Sequence, residues 1–425
     1  MRNGIRTSVL SLALSAAALP AFAAALCSGD IDFQRLTFAG TTGKQILVLT
    51  VDVSGVVSAQ LDCNGDGDFV DTAAGDIDGD SYGDEDQIYF ALKGNDTITI
   101  NQTGPWTGQK KDFQFLLGVG TNSLTYESNG NGISANSRIV FEVAGGTGAD
   151  TVDLSFAGNL VDLSSILVRA NLGVGNDVMS LALPETSSTG RLNVNVDLGL
   201  GNNVFSMTQG TAPTSGEVNL DLEAGSGRDV VTLNPTVVAG GRMRINTQLG
   251  WGNDTYAVNL DLSLLDVGSD GDLFLGADGS IGNDSLVVTR NGTTPSLAAI
   301  HEAADFDVRL NGGIGNDTIS VDLGGGGIDG FTNGTIRLRA DGGAGSDRVT
   351  VIFDSSESPT SGPGRYDVAV TGGPGNDTLS ATHNATGSVS YLQGAMILDG
   401  GSGTVDTCTT EGSSASSLHL LNCEQ

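Results

Sequence analysis

GGIGNDTISV at 312–321 and GGPGNDTLSA at 372–381 are two copies of one phrase, and the phrase runs through most of the chain. Close copies are KGNDTITI (93–100), GGTGADTVDL (145–154), GVGNDVMSL (173–181) and GSGRDVVTL (225–233). GWGNDTYAV (250–258), IGNDSLVV (281–288) and GGAGSDRVTV (342–351) continue it. Looser copies are GVGTNSLTY (118–126), GLGNNVFSM (199–207) and GGSGTVDTC (400–408). The acidic position falls at Asp96, Asn122, Asp150, Asp177, Asn203, Asp229, Asp254, Asp284, Asp317, Asp347, Asp377 and Asp406, with gaps of 25 to 33 residues. A period in this range is the mark of a solenoid or an array.

The residues on either side of the phrase select the fold. Two and four positions after the acidic residue the side chains are apolar in most copies, as in Ile98/Ile100, Val152/Leu154, Val231/Leu233 and Ile319/Val321. Before the glycines the same alternation recurs, as in Leu192, Val194, Val196, Leu198 and in Tyr366, Val368, Val370. Period two on both flanks means two strands, each with one buried face. A strand, a glycine turn and a second strand in every period predict an all-β chain, a right-handed parallel β-solenoid. One turn per coil and about 11 coils give a rod about 50 Å long at the ~4.8 Å strand spacing. A coil of about 80–110 Å perimeter suffices for a three-sided loop around an aliphatic core. An antiparallel sandwich or a propeller is the competing arrangement.

Glycine stands two residues before the acidic position in all copies but the last, and often four before it as well (Gly313 and Gly315, Gly373 and Gly375). Alternate glycines suit a tight turn with positive φ. Here the chain resembles the calcium-binding nonapeptide G-G-x-G-x-D-x-U-x of repeats-in-toxin (RTX, hemolysin-type) proteins, a parallel β-helix repeat. GGIGNDTIS (312–320) and GGPGNDTLS (372–380) match it most closely, and GGSGTVDTC…LLNCE looks like the end of secreted bacterial calcium-binding repeat proteins. The resemblance implies a calcium-binding β-solenoid. Two departures stand out: the motif occurs once per coil rather than in tandem, so a shared ion would lie between stacked coils, and the export signal is N-terminal.

Stacked acidic side chains ~4.8 Å apart repel by about 1 kcal/mol even in bulk water. Hard oxygen ligands suit Ca²⁺, which tolerates six to eight of them. The expected calcium residues in the repeats are Asp96, Asp150, Asp177, Asp229, Asp254, Asp284, Asp317, Asp347 and Asp377. The alternative is that each Asp caps its own turn without metal, and Asn122 and Asn203 suit that role equally. A second acidic run, DCNGDGDFVDTAAGDIDGDSYGDED at 62–86, contains Asp62, Asn64, Asp66, Asp68 and Asp71, then Asp76, Asp78, Asp80, Asp84 and Asp86. Its opening reproduces a D-x-N-x-D-G calcium loop, but Ala73 stands where an EF-hand needs Glu. The run resembles the helix-free calcium loops of thrombospondin type 3 repeats. A solvated acidic loop is the plain alternative.

The ends point to export. Residues 1–23 read as a signal peptide, with Arg2 and Arg6, an apolar stretch Val9–Leu19 and the small-x-small site Ala21-Phe22-Ala23. A lipoprotein reading based on Cys27 meets Leu26 where a small residue is wanted. Four cysteines fall as one pair near each end, so the simple expectation for an oxidising compartment is Cys27–Cys63 and Cys408–Cys423, other pairings being open. Residues 24–93 are expected to form an N-terminal cap, 94–407 the solenoid and 408–425 a C-terminal cap. No later stretch approaches the ~18 apolar residues of a membrane helix.

Composition agrees. The 425 residues include 63 Gly, 50 Asp+Glu and 19 Lys+Arg, for a net charge of −31. That balance argues against nucleic acid as a partner and leaves cations as natural ones. His301-Glu302-Ala303-Ala304-Asp305 falls short of H-E-x-x-H, and neither a G-x-S-x-G elbow nor a Walker loop is present. The leading expectation is therefore a secreted or cell-surface calcium-binding solenoid with a structural or adhesive role and no catalysis. Extracellular polysaccharide, matrix or self-association are candidate partners. A polysaccharide lyase or hydrolase on the same scaffold, and a self-assembling filament or surface-layer subunit, are the competing classes.

Overall fold

The structure is a computed structural model. It describes residues 28–424 except 33–34, 41–42, 67, 69–76, 82–86, 92, 188, 210–215, 236–240, 262–265, 268–270, 292–297, 301–304, 330–334, 357–364, 387–389, 392–395, 404 and 412–417. The described residues form strands and turns without a helix, wound as a parallel β-solenoid. None could therefore serve as a membrane-crossing helix.

Two long parallel sheets make the walls. Sheet I holds the strands before each glycine turn: Arg35–Ala39, Gln87–Ala91, Lys110–Val119, Arg138–Thr147, Ser165–Val174, and so on to Met396–Gly401 and Leu418–Leu421. Sheet II holds the strands after the acidic residue, from Ile46–Val51 and Thr97–Gln102 to Thr378–Thr386 and Thr407–Glu411. The third side expected of each coil forms a separate small sheet early on, where Trp106–Thr107, Ile133–Ser134, Asn159–Leu160 and Glu185–Thr186 pair in parallel; further along, Asp266–Val267, Ala298–Ile300 and the end of Thr318–Asp329 pair in parallel within sheet II.

The register follows from the alternation. Ile98, Leu124, Val152, Met179, Phe205, Val231, Tyr256, Leu286, Ile319, Val349 and Leu379 stack in one inward column, each beside its counterpart one coil away. All are buried. Burying one such side chain contributes about 1.5–3 kcal/mol, and a slip of one residue would turn the whole column to solvent. Aromatic rings stack along sheet I as well: Phe38 on Phe90 at 5.6 Å, Phe90 on Phe115 at 4.6 Å and Phe113 on Phe141 at 5.0 Å.

The ends are closed differently. At the N-terminus Arg35–Ala39 and Ile46–Val51 already stack in parallel on the following strands. Antiparallel strands then cover both open edges: Ser28–Asp32 beside sheet I, and Val57–Asp62 with Ile77–Ser81 beside sheet II. Such edges otherwise pair with other chains. At the C-terminus Leu418–Leu421 adds a last strand to sheet I, and a disulfide joins Cys408 to Cys423. Cys63 is disulfide-bonded too; its expected partner Cys27 lies outside the described residues, as does the signal segment 1–23.

A ladder of buried carboxylates as candidate functional site

Each glycine turn is held close to the turn of the next coil. Gly313 has φ +96° and Gly315 +152°, and a Cβ on Gly315 would lie 1.4 Å from the carbonyl oxygen of Gly282 one coil earlier. Only glycine leaves room for that approach. The turn delivers the acidic side chain inward, and every expected repeat aspartate is at most 2 % exposed.

These side chains form one continuous ladder. The Oδ1 of each accepts the backbone N–H of the ladder residue in the preceding coil: Asp284 N–H to Asp317 at 2.7 Å, Asp317 N–H to Asp347 at 2.7 Å, Asp347 N–H to Asp377 at 2.8 Å and Asp377 N–H to Asp406 at 2.9 Å. The same bond links Asp96, Asn122, Asp150, Asp177, Asn203, Asp229 and Asp254 in order. The capping expectation is thus met in an altered form, because the N–H satisfied belongs to the neighbouring coil and not to the residue's own turn. Gln45 occupies the first rung, buried, with its N–H donated to Asp96 Oδ1 at 3.0 Å.

The second carboxylate oxygen has a different situation. Oδ2 of Asp96, Asp150, Asp177, Asp229, Asp254, Asp284, Asp317, Asp347 and Asp377 is buried and accepts no hydrogen bond. In the later coils, at Asp284, Asp317, Asp347 and Asp377, it lies against the glycine five residues earlier: a Cβ on Gly312 would come within 2.6 Å of Asp317 Oδ2, and one on Gly342 within 2.7 Å of Asp347 Oδ2. Where the rung is an amide the equivalent atom donates instead. Asn122 Nδ2 reaches Asp150 Oδ1 at 2.8 Å, and Asn203 Nδ2 points to the Gly201 carbonyl at 3.3 Å.

An ionised carboxylate with one oxygen shut away from water is costly. Burial therefore raises the ladder carboxyls above their ordinary value near 3.8: Asp284 to about 7, and Asp96, Asp177, Asp229 and Asp347 to about 6. Asp150, Asp254, Asp317 and Asp377 are shifted upward by the same cause. Neighbouring acids add to the burial effect at Asp284, where Asp254 and Asp317 sit one coil to either side. The donated N–H bonds offset part of it.

A second ladder runs outside the first and in the opposite sense. Asn283 N–H donates to Asn253 Oδ1, Asn316 N–H to Asn283 Oδ1 and Ser346 N–H to Asn316 Oδ1, at 2.7–2.8 Å. So G-N-D supplies two side chains that tie each coil to both neighbours. The signal for it was the Asn recurring directly before Asp in most copies. Gln45 was legible too, in Gly43 two residues before it and Leu47 and Leu49 after it.

In the N-terminal acidic run, residues 62–66, 68 and 77–81 are described. Asp62 is buried and its Oδ1 accepts Gly65 N–H at 2.6 Å. Asn64 and Asp66 make successive side-chain turns, accepting Asp66 N–H at 2.9 Å and Asp68 N–H at 3.1 Å, and Asn64 Nδ2 donates to Asp66 Oδ2 at 3.0 Å. Asp78 and Asp80 lie on the strand Ile77–Ser81. Asp71, Asp76, Asp84 and Asp86 lie outside the described residues. Neither acidic series converges: among the described residues no three His, Cys, Asp or Glu side chains gather as a metal group. The rungs stand in single file, so a cation on the ladder would draw its remaining ligands from turn carbonyls. An orphaned anionic oxygen beside carbonyls fits a hard cation or a proton, each of which supplies the missing positive charge.

The outward face of sheet I carries paired basic residues. Arg309 binds Asp307, Arg339 binds Asp367 at 2.6 Å, Arg169 binds Glu142 at 2.7 Å and Arg242 binds Asp272 at 3.1 Å. Arg244 lies over the Phe274 ring at 4.5 Å. His301 to Ala304 lie outside the described residues, and His383 is buried against Phe353 at 4.0 Å as a core side chain. No protein-family model, curated protein or solved structure matches this chain, so the likeness to the repeats-in-toxin motif rests on the repeat residues themselves.

Proposed function

We propose that this chain is an exported structural or adhesive β-solenoid whose coils are stabilised by Ca²⁺ at the aspartate ladder and in the N-terminal acidic loop. The observation that carries the reading is the file of nine buried carboxylate oxygens with no hydrogen-bond partner. Above neutral pH each is a buried negative charge, and a net charge of −31 adds general self-repulsion. A cation held by Asp284, Asp317, Asp347 and Asp377 would neutralise them in place. Ca²⁺ suits the available ligands, carboxylate and carbonyl oxygens in a flexible set. Asp62, Asn64, Asp66 and Asp68, with the rest of the acidic run to Asp86, would form the second locus. The leader-like segment 1–23 supports export, into a compartment where calcium is plentiful and disulfides persist.

Asn122 and Asn203 favour a second reading, in which the rungs work as neutral acids and no metal is needed. An amide already fills the position there, and a protonated carboxyl likewise sets a donor beside a carbonyl acceptor, with one donor hydrogen in place of two. Calcium titration by calorimetry separates the two. The calcium reading expects several ions bound per chain at about pH 7.5 and far weaker binding at about pH 5, where the rungs hold protons. Absence of heat at both pH values, with equilibrium dialysis also blank, would leave only the neutral-acid reading.

A further inference from the structure

The residue between the two turn glycines points outward, and along the rod these residues form an uninterrupted column. Val119 pairs with Thr147, which pairs with Val174; isolated bridges then link Val174, Leu200, Ser226, Trp251, Ile281, Ile314 and Ala344 in succession. Most are large, apolar and exposed: Val119 70 %, Leu200 53 %, Trp251 69 % and Ile314 58 %. Val178 and Val204, across the turn at the start of sheet II, widen the same strip and are also exposed. None of this packs on the core, and soluble monomers rarely display a contiguous apolar strip of this length.

We infer that this corner is the seam of a homodimer, two copies of the chain lying edge to edge about a two-fold axis. Three observations select a second copy over another partner. The knobs recur at the strand spacing of ~4.8 Å, so the surface with holes at the same repeat is another stack of identical rise, offset by half a step. The strip is uncharged in a chain of net charge −31. On the sheet II side it is bordered by the small polar or neutral residues Thr121, Ala149, Asn176, Asn202, Asn253, Asn283 and Asn316, with Arg228 the one charge among them, while the acids Asp197, Glu223, Asp278 and Asp341 stand on the sheet I side. Copies meeting through the sheet II side of the corner would bury neutral surface and leave both acidic rows on the rim. Seven coil steps from Val119 to Ile314 give the strip a length of about 34 Å. An isologous contact closes on itself, so it produces a dimer and not a fibre.

The test is sedimentation equilibrium of the full chain in calcium-containing buffer across the micromolar range. The expected result is a concentration-dependent dimer, with the emission of Trp251 moving to shorter wavelength as it forms. Trp251→Asp with Ile281→Asp should weaken association at least about tenfold, or 1.4 kcal/mol, while circular dichroism stays that of the wild type because both sites are on the surface. Should that pair fail to fold, Val174→Asp with Leu200→Asp probes the same strip three coils away. A wild-type chain that stays monomeric, open-ended growth into larger species, or a dimer indifferent to both pairs of substitutions would overturn the inference.

Discussion

At the scale of a residue, Asp317 shows how much one side chain carries. Its Oδ1 satisfies the N–H of Asp284, its own N–H is satisfied by Asp347, and its Oδ2 faces no donor. Asp317→Ala leaves a buried N–H without an acceptor and should cost about 1–3 kcal/mol in urea unfolding. Asp317→Asn keeps the acceptor and removes the charge, as Asn122 and Asn203 already do. In calcium-free buffer near neutral pH it should be neutral or stabilising, and equal losses for the two variants would contradict the ladder. The importance of this position was legible in its recurrence after two glycines. Its partner was not, because a bond from Asp284 to a residue 33 positions on exists only once the coils are stacked. The same applies to the asparagine ladder: Asn316 reads as an ordinary turn residue until the Ser346 N–H of the next coil is seen against its side chain.

At the scale of the element, the ladder behaves as one titrating unit. Burial raises Asp96, Asp177, Asp229 and Asp347 to about 6 and Asp284 to about 7 from the ordinary 3.8, and moves Asp150, Asp254, Asp317 and Asp377 the same way, so the folded chain holds more protons between those limits. Stability in the absence of calcium should therefore be fully present below about pH 4 as far as these groups go. It should fall as pH rises through about 6 to 7 and level off above, the reverse of an ion-paired aspartate. Thermal melts across that window with chelator present would measure it, and a melting temperature that climbs steadily from pH 4 to 7 would refute the assignment. The strands around the ladder were foreseeable from apolar pairs such as Ile319/Val321, since period two has one structural meaning. The short third side was not, because Trp106–Thr107 and Ile133–Ser134 are too brief to show a period. The C-terminal strands give a separate expectation. The Cys408–Cys423 bond closes a loop of sequence separation 15, which constrains the unfolded chain by about 3 kcal/mol. Reduction should raise amide exchange in Leu418–Leu421 well before it affects the middle coils, and unchanged exchange there would mean that packing alone holds the last strand.

At the scale of the whole molecule, the acidity has an organised distribution. Part of it is paired on the outer face of sheet I, where Arg309, Arg337 and Arg339 hold Asp305, Asp307 and Asp367. Such half-exposed pairs contribute about 0–1 kcal/mol each, so they order the surface more than they stabilise it. Another part is buried in the ladder, where it cannot be paired by side chains because inward positions around it are aliphatic. On the function proposed above, that second part should make the rod depend on its medium: on protons in acid, on a cation at neutral pH. A ligand that binds only the folded state stabilises it by RT ln(1 + [L]/Kd), and several sites add. The most direct measurement is therefore the unfolding midpoint at about pH 7.5 with millimolar calcium and with chelator, repeated at about pH 5. Calcium should raise the midpoint strongly at the higher pH and scarcely at the lower. A midpoint indifferent to calcium at the higher pH would contradict the account, and the aspartates would then be hydrogen-bonding rungs alone.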